Sequence, residues 1–187
     1  MSPVAGAYPL LGVGKLANVT IASPGEIWSD RRASGVIIPG ACVAPVAGGV
    51  GGKLAYKQLI VGDAPDKDQV AVAMRQVEIP DVNNGPGALG PNEIVNQAIA
   101  SADWVRTVHT GVLHLTLVEP RADYTPGQKV GWAVAAPRPA GKAAGAGAWS
   151  NAAILAGTDI FEVREYRKYG AGNDGILTVA FLRANQF

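Results

Sequence analysis

The stretch Tyr124-Thr125-Pro126-Gly127-Gln128-Lys129-Val130-Gly131-Trp132 joins a turn to the start of a strand. Proline presets φ at the first central position of a type II turn, and glycine takes the positive φ that the second position needs. The β-branched valine and the tryptophan that follow suit a pleated strand. Shorter versions of the phrase are Pro24-Gly25-Glu26-Ile27-Trp28 and Pro39-Gly40-Ala41-Cys42-Val43. The repetition predicts a compact antiparallel β structure.

Short β-prone runs separated by turn residues extend over most of the chain, which predicts an all-β fold with a single domain over residues 19–187. Asn173-Asp174-Gly175 is typical of the turn of a hairpin that joins the last two strands. We also predict a short helix over Asn92–Ala102 and long loops near residues 80–104 and 135–153. The predicted strands include Val19–Ile21, Ile27-Trp28, Val36–Ile38, Cys42-Val43, Leu54–Val61, Val70–Ile79, Val105–Val118, Tyr124–Val134, Asp159–Tyr169 and Ile176–Leu182.

The first 18 residues are apolar, contain proline and glycine, and have no periodicity, which predicts an extended N-terminal arm over residues 1–18. Tyr8, Leu10 and Leu11 would expose apolar surface if this arm were free in water. We therefore expect these side chains to form an interface with the body of the chain, a sister subunit or a larger partner. A frayed terminus is the alternative.

Composition excludes several classes of protein. Hydrophobic residues make up 48% of the 187 residues and charged residues 17%, below the usual value of roughly 25%. The net charge of +1 and the lack of a basic stripe argue against a nucleic-acid partner. The single cysteine, Cys42, cannot form an internal disulfide. Neither a signal peptide nor a run of about 20 apolar residues is present, so we expect a soluble chain made in the cytoplasm, without membrane association.

No catalytic or cofactor motif is found. Residues 48–53 lack the first glycine and the hydroxyl residue of a phosphate-binding loop. His109 and His114, five residues apart on one predicted strand, would point to opposite faces, which argues against a shared metal site. Cys42 fits a buried structural cysteine, and Arg164 and Arg167 are natural ion-pair partners for Glu162 and Glu165. We therefore predict no enzymatic activity, no cofactor and no metal.

The four tryptophans, Trp28, Trp104, Trp132 and Trp149, have two interpretations. Tryptophan anchors cores and interfaces, and Trp149 is an expected interface residue together with the arm. Exposed Trp149 or Trp28 would instead provide a platform for a sugar ring, which gives a carbohydrate-binding β module on a particle surface as the alternative function.

The chain resembles the capsid decoration, or structural cement, proteins of tailed bacteriophages. The resemblance rests on Thr110–Leu115, Tyr124–Trp132, the glycine-rich loop that follows and Ile176–Leu182, with Gly35–Gly40 and Cys42-Val43 upstream. It covers about two-thirds of the chain. The loops near residues 80–104 and 135–153 are longer than the family leads one to expect, and the arm is an addition.

The resemblance implies a small antiparallel β-barrel or β-tulip-like body. It also implies a non-enzymatic protein that assembles as a homotrimer on the outer surface of an icosahedral head. There it would bridge subunits of the major capsid protein and stabilise the shell. Shallow contacts repeated by symmetry give high avidity even when each contact is modest.

Overall fold

The computed structural model describes residues 16–23, 25–48, 54–75, 96–121, 123–169 and 172–182. Over these residues the fold is all-β and barrel-like, as the sequence predicts. A single 3-10 turn, Lys67–Gln69, interrupts the strands of the described part of the chain. The strands are β1 Val19–Ser23, β2 Ile27–Arg32, β3 Cys42–Val46, β4 Ala55–Gln58, β5 Ala71–Arg75, β6 Trp104–Val108, β7 Val112–Leu115, β8 Lys129–Pro137, β9 Ala146–Ser150, β10 Phe161–Lys168 and β11 Gly175–Phe181.

The strands form two antiparallel sheets. The large sheet has the order β1-β7-β11-β10-β8-β9, and the small sheet has the order β2-β6-β5-β3-β4. In the small sheet, a parallel bridge between Ala33 and Tyr56 joins the end of β2 to β4. In the large sheet, a parallel bridge between Val118 and Trp149 joins the segment after β7 to β9. These bridges bring β4 back to the end of β2 and β9 back to the segment after β7, so both sheets are curled. In the large sheet, β1 lies outside the bridged strands.

The two curled sheets follow the same plan. Strands β2–β6, the first repeat, are connected in the same order as strands β7–β11, the second repeat, and β1 adds to the second repeat beside β7. Backbone hydrogen bonds at equivalent positions of the two repeats also correspond. Ser34 N donates to Tyr56 O at 2.7 Å, and Glu119 N donates to Trp149 O at 2.9 Å, each just after the first strand of its repeat. The chain thus contains one five-stranded arrangement twice.

The Pro-Gly phrases at residues 39–40 and 126–127 occupy the same place in the two repeats, directly before β3 and β8. Gly40 and Gly127 have φ values of +86° and +84°, as the predicted type II turns require. Gly40 N donates to Ala73 O at 2.7 Å, and Gly127 N donates to Val163 O at 2.9 Å. The Pro-Gly phrase therefore forms the equivalent turn in each of the two repeats.

Gly25 has a different role from the other two phrase glycines. Its φ is not positive. A Cβ atom on Gly25 would overlap the carbonyl oxygen of Thr110, the residue that leads into the second repeat. Glu26 N also donates to Thr110 Oγ1 at 2.7 Å. Glycine is needed here because two backbone segments approach closely, not because of a turn.

The interiors of the two repeats differ in size. At five equivalent interior positions, as the strand registers pair them, the first repeat carries the smaller residue of the pair. Ile37 and Ile99, which form a bridge with each other, supply the missing volume in the first repeat. The pairs are Ala33 and Val118, Ala71 and Phe161, Ala73 and Val163, Val105 and Leu177, and Tyr56 and Trp149.

The central strands of the small sheet are buried on both faces. Val43 and Ala71 line the small interior cluster of the first repeat, whereas Cys42 and Val72 pack into the larger cluster shared with the second repeat. These strands therefore read as continuous apolar runs, because neither face meets water. Lys67 and Asp159 add an ion pair of 2.9 Å between the repeats.

Three predictions about elements need correction. The predicted strand Val105–Val118 is two strands in different sheets, because the chain passes between sheets at residues 109–111, where Gly111 has φ +103°. The loop predicted near residues 135–153 contains the end of β8 and all of β9, paired as strands. Val36–Ile38 contributes only the bridge of Ile37 to Ile99.

The predicted helix Asn92–Ala102 is helical at Asn96 but wrong beyond it. Residues 97–102 are not helical, and Ile99 N and O both hydrogen-bond with Ile37. The β-like pairing of Ile99 carries its side chain into the interior of the first repeat. Residues 92–95, like residues 76–91 of the neighbouring strand and loop predictions, lie outside the described residues.

Candidate functional site

The predicted interface residues Tyr8, Leu10 and Leu11 lie outside the described residues. The last three residues of the predicted arm, 16–18, are described, and they lie on the body of the chain. Asn18 is 3% exposed and donates its side-chain amide to Pro39 O at 2.7 Å. Its backbone N–H donates to Asn96 Oδ1 at 2.7 Å. Thr116 of the second repeat donates its hydroxyl to Ala17 O at 2.7 Å, so the end of the predicted arm is fixed against both repeats.

Lys142, which lies between β8 and β9, contacts the same segment. Its ammonium donates to Leu16 O at 2.6 Å. Burial lowers the pKa of Lys142 to about 7, because the charged form loses water there. Lys142 therefore titrates near neutral pH at the place where the arm meets the body.

The prediction that Trp149 is an exposed interface residue is wrong. Its side chain is 0% exposed and lies between the rings of Trp132 and Phe161, at centroid distances of 5.5 and 4.8 Å. Its indole N–H donates to Gly40 O at 2.7 Å. Trp149 faces the interior because β9 pairs with β8 in this register, so it can contact neither a partner nor a sugar.

The candidates for chemistry are dispersed. Cys42 is buried, as predicted. His109 and His114 belong to segments of different sheets, which separates them more completely than the predicted strand would. The predicted ion pairs are present, Arg164 with Glu162 at 3.1 Å and Arg167 with Glu165 at 3.3 Å. Within the described ranges, no three His, Cys, Asp or Glu side chains are grouped so that they could hold a metal ion.

Large exposed apolar side chains are distributed unequally between the repeats. Eight are found among the described residues, and seven belong to the first repeat or its connections. The second repeat, built on the same plan, contributes only Leu182 to this set. The seven are Ile27, Trp28, Val36, Leu54, Ile60, Val61 and Trp104.

The two most prominent neighbours in this set, Ile60 and Val61, form the tip of a tight turn after β4. They are 61% and 76% exposed. Asp63 accepts a hydrogen bond from Ile60 N at 2.9 Å and pairs with Lys57 at 2.5 Å, while Gly62 has φ +89°. Burial alone would raise the pKa of Asp63, but the bonds from Lys57 and Ile60 keep it below its ordinary value. The tip is thus a preformed apolar projection.

A second feature of the first repeat combines the exposed Trp28 with three buried aromatic and polar side chains. The Trp28 ring packs against His109 with a centroid distance of 4.2 Å and an interplanar angle of 33°, and its indole N–H donates to Glu26 Oε1 at 2.7 Å. His109 Nε2 lies 2.9 Å from Thr107 Oγ1 and 3.4 Å from Tyr56 OH. We call Trp28, His109, Thr107 and Tyr56 the Trp28 cluster.

The outer face of the large sheet carries a groove of about 360 Å³ whose lining includes Thr20, His114, Thr178 and Glu165. The strand registers align Thr20, His114, Thr178 and Glu165 in one row across four strands. His114 Nδ1 lies 3.0 Å from Thr178 Oγ1. The sequence placed His114 on a strand, but only the pairing of distant strands shows that it lies in this row.

The sequence reasoning missed the Ile60-Val61 tip, although Gly62-Asp63 after an apolar run was an available turn signal. It also missed the Trp28 cluster, whose members come from three strands and the segment after β6. Searches of protein-family models, curated proteins and solved structures found no match to this chain. No helix in the described ranges is long and apolar enough to span a membrane.

Proposed function

We propose that this chain is a non-enzymatic capsid decoration, or cement, protein. It binds the outer surface of an icosahedral phage head as a homotrimer and bridges subunits of the major capsid protein. It is made in the host cytoplasm and resides on the virion. The observation that supports a surface-binding role is the concentration of exposed apolar side chains on one of two repeats that share the same plan.

The contrast between the repeats serves as an internal control. Scattered exposed apolar residues are ordinary on a soluble protein, but an uneven distribution favours a contact surface. The second repeat shows that this arrangement of strands can be covered largely by polar side chains. The apolar surface of the first repeat is therefore not a requirement of the fold.

The Ile60-Val61 tip is well suited to such a contact. Its conformation is fixed by Asp63, Lys57 and Gly62 before any partner binds, so little conformational entropy is lost on docking. Two aliphatic side chains bury a small area, and one such contact is weak. A trimer that places three tips on a symmetric shell gains avidity through effective concentration.

The proposal is tested with empty heads assembled from the major capsid protein encoded in the same genome. Light scattering gives the oligomeric state of the purified chain, and co-sedimentation with expanded heads gives its occupancy. We expect a trimer that saturates the heads, and a double variant Ile60→Ser with Val61→Ser that binds at least tenfold more weakly, as for the loss of a central contact.

The matched control is Leu182→Ser, which removes the exposed apolar residue of the second repeat. We expect it to bind heads like the unaltered chain. A monomer that does not sediment with heads would overturn the proposal. Equal weakening by the tip variant and the Leu182 variant would place the contact elsewhere and remove the support drawn from the uneven apolar surface.

A further inference from the structure

The two repeats differ most in chemistry at one end of their interiors. The registers pair Trp28 with Thr107 in the first repeat, at the place where Leu113 pairs with Val179 in the second. His109 N donates to Glu26 O at 2.9 Å, just as Phe181 N donates to Gly111 O at 3.1 Å. His109 therefore occupies the place of Phe181.

In the second repeat these three positions are occupied by apolar core residues. Leu113, Val179 and Phe181 are all buried and belong to the large apolar cluster. The first repeat replaces them with a tryptophan, a threonine and a histidine. A polar group at a buried interior position lowers stability unless it is hydrogen-bonded. Residues that depart from the pattern of the fold in this way are typical of functional sites.

Trp28 is held in a way that suits a binding platform. It is 39% exposed, although Leu113 at the equivalent place is fully buried. One face of the indole lies on His109, and Glu26 accepts its N–H, so the plane of the ring is fixed. A fixed, half-exposed indole can stack against the C–H face of a pyranose ring at little cost in side-chain entropy.

Charged groups beside Trp28 provide both acceptors and donors. Asp30 has a side chain that is 58% exposed, and it pairs with Arg31 at 3.5 Å. The guanidinium of Arg31 lies 5.1 Å from the centre of the Tyr56 ring, which orients it. Residues 26–31 thus contribute two carboxylates, of Glu26 and Asp30, and the guanidinium of Arg31. Such a mixture of hydrogen-bond acceptors and donors suits the hydroxyl groups of a neutral sugar.

We propose that the Trp28 cluster, with Glu26, Asp30 and Arg31 beside it, is a binding site for a neutral glycan. The sugar ring stacks on the exposed part of Trp28, and its hydroxyl groups bond to the two carboxylates and to Arg31. This activity goes beyond capsid binding and uses a different part of the first repeat from the Ile60-Val61 tip. It holds whether or not the chain decorates a head.

The chain offers a matched control in Trp104. This tryptophan is 47% exposed on the neighbouring strand, but the guanidinium of Arg32 lies 4.8 Å from the centre of its ring. Arg32 and Trp104 pair across the strands, whereas Trp28 pairs with Thr107, so the two indoles stand on opposite faces of the ladder. Trp104 thus has the exposure of Trp28 without its surroundings.

The test applies the full-length chain to a glycan array and measures the dissociation constant of any neutral oligosaccharide it retains by titration calorimetry. We expect Trp28→Ala to weaken binding at least tenfold and Trp104→Ala to leave it within twofold. Asp30→Asn, at an exposed position that the fold does not need, should weaken binding severalfold and guards against a misfolded Trp28 variant.

Three outcomes would overturn the site. They are no retention of any neutral glycan, retention only of anionic glycans or nucleic acids, and equal loss in the Trp28 and Trp104 variants. Head binding by Asp30→Asn separates the two proposals, because the glycan site predicts that this variant loses glycan affinity and still sediments with heads. Loss of both bindings in this variant would place Asp30 in the capsid contact instead.

Discussion

Tyr56 and Trp149 occupy the same position in the two repeats of the fold. Each forms the parallel bridge that closes its sheet, Tyr56 with Ala33 and Trp149 with Val118. Their polar atoms take different partners. Tyr56 OH lies 3.4 Å from His109 Nε2 within the first repeat, whereas Trp149 Nε1 donates to Gly40 O of the other repeat at 2.7 Å. The closing residue of the second repeat therefore also connects the two repeats.

Trp149→Phe should destabilise the chain by about 2–3 kcal/mol. The substitution leaves Gly40 O without its donor in a buried place and removes part of a packed aromatic cluster. Urea denaturation followed by fluorescence and by circular dichroism measures the loss. Trp104→Phe, at an exposed position, should change the unfolding free energy by less than about 0.5 kcal/mol. Equal effects of the two variants would contradict the assigned role of Trp149.

Gly25→Ala should destabilise the fold by more than about 3 kcal/mol, because the added Cβ overlaps Thr110 O and one backbone segment must move. Thermal unfolding by calorimetry is the measurement. Gly172→Ala is the control, since its Cβ would make only an ordinary contact, 3.9 Å from Asp174 N. A Gly25 variant as stable as the control would show that the two repeats do not approach closely here.

Ile99→Ala should cost about 2–5 kcal/mol, the usual range for an aliphatic side chain removed from a core. Three of the seven other residues in this cluster are alanines, which cannot expand to fill the cavity. Chemical denaturation gives the value, and Ile60→Ala, at an exposed tip, should cost less than about 0.5 kcal/mol. A small effect at Ile99 would mean that its segment does not fill the first repeat.

The unfolding free energy should rise between pH 7.5 and 9.5. Lys142 has a pKa of about 7 in the folded chain and 10.5 as its ordinary value, so the unfolded chain binds more protons in this window. The slope is at most about 1.4 kcal/mol per pH unit for one group. Lys142→Met should flatten the profile, as measured by urea denaturation at several pH values.

The window ends below pH 10 because three tyrosines act in the opposite direction. Burial raises the pKa of Tyr56 and of Tyr124, and it raises the pKa of Tyr166 to about 12. Above pH 10 these tyrosines ionise first in the unfolded chain, so stability falls there. A flat profile for the unaltered chain between pH 7.5 and 9.5 would show that Lys142 stays hydrated and charged.

Much of the fold was predictable because its signals are local. Local signals depend on residues that are neighbours in sequence. They predicted the turns at Pro39-Gly40 and Pro126-Gly127, the strand at Val19–Ile21 and the last two strands, β10 and β11. The long apolar run Val105–Val118 was predicted as one strand, since the change of sheet at Gly111 leaves the hydrophobic pattern intact on both sides. The Trp28 cluster was unpredictable because its members come from segments up to 81 residues apart.

By itself the sequence determined an all-β chain with Pro-Gly turns at defined positions, because proline and glycine restrict the backbone wherever they stand. Only the tertiary structure decided that these turns mark two copies of one strand arrangement, since strand order is set by pairing between distant residues. It also decided which tryptophans meet solvent. Trp149 is buried and Trp28 exposed because strand register, and not residue type, selects the face on which each indole lies.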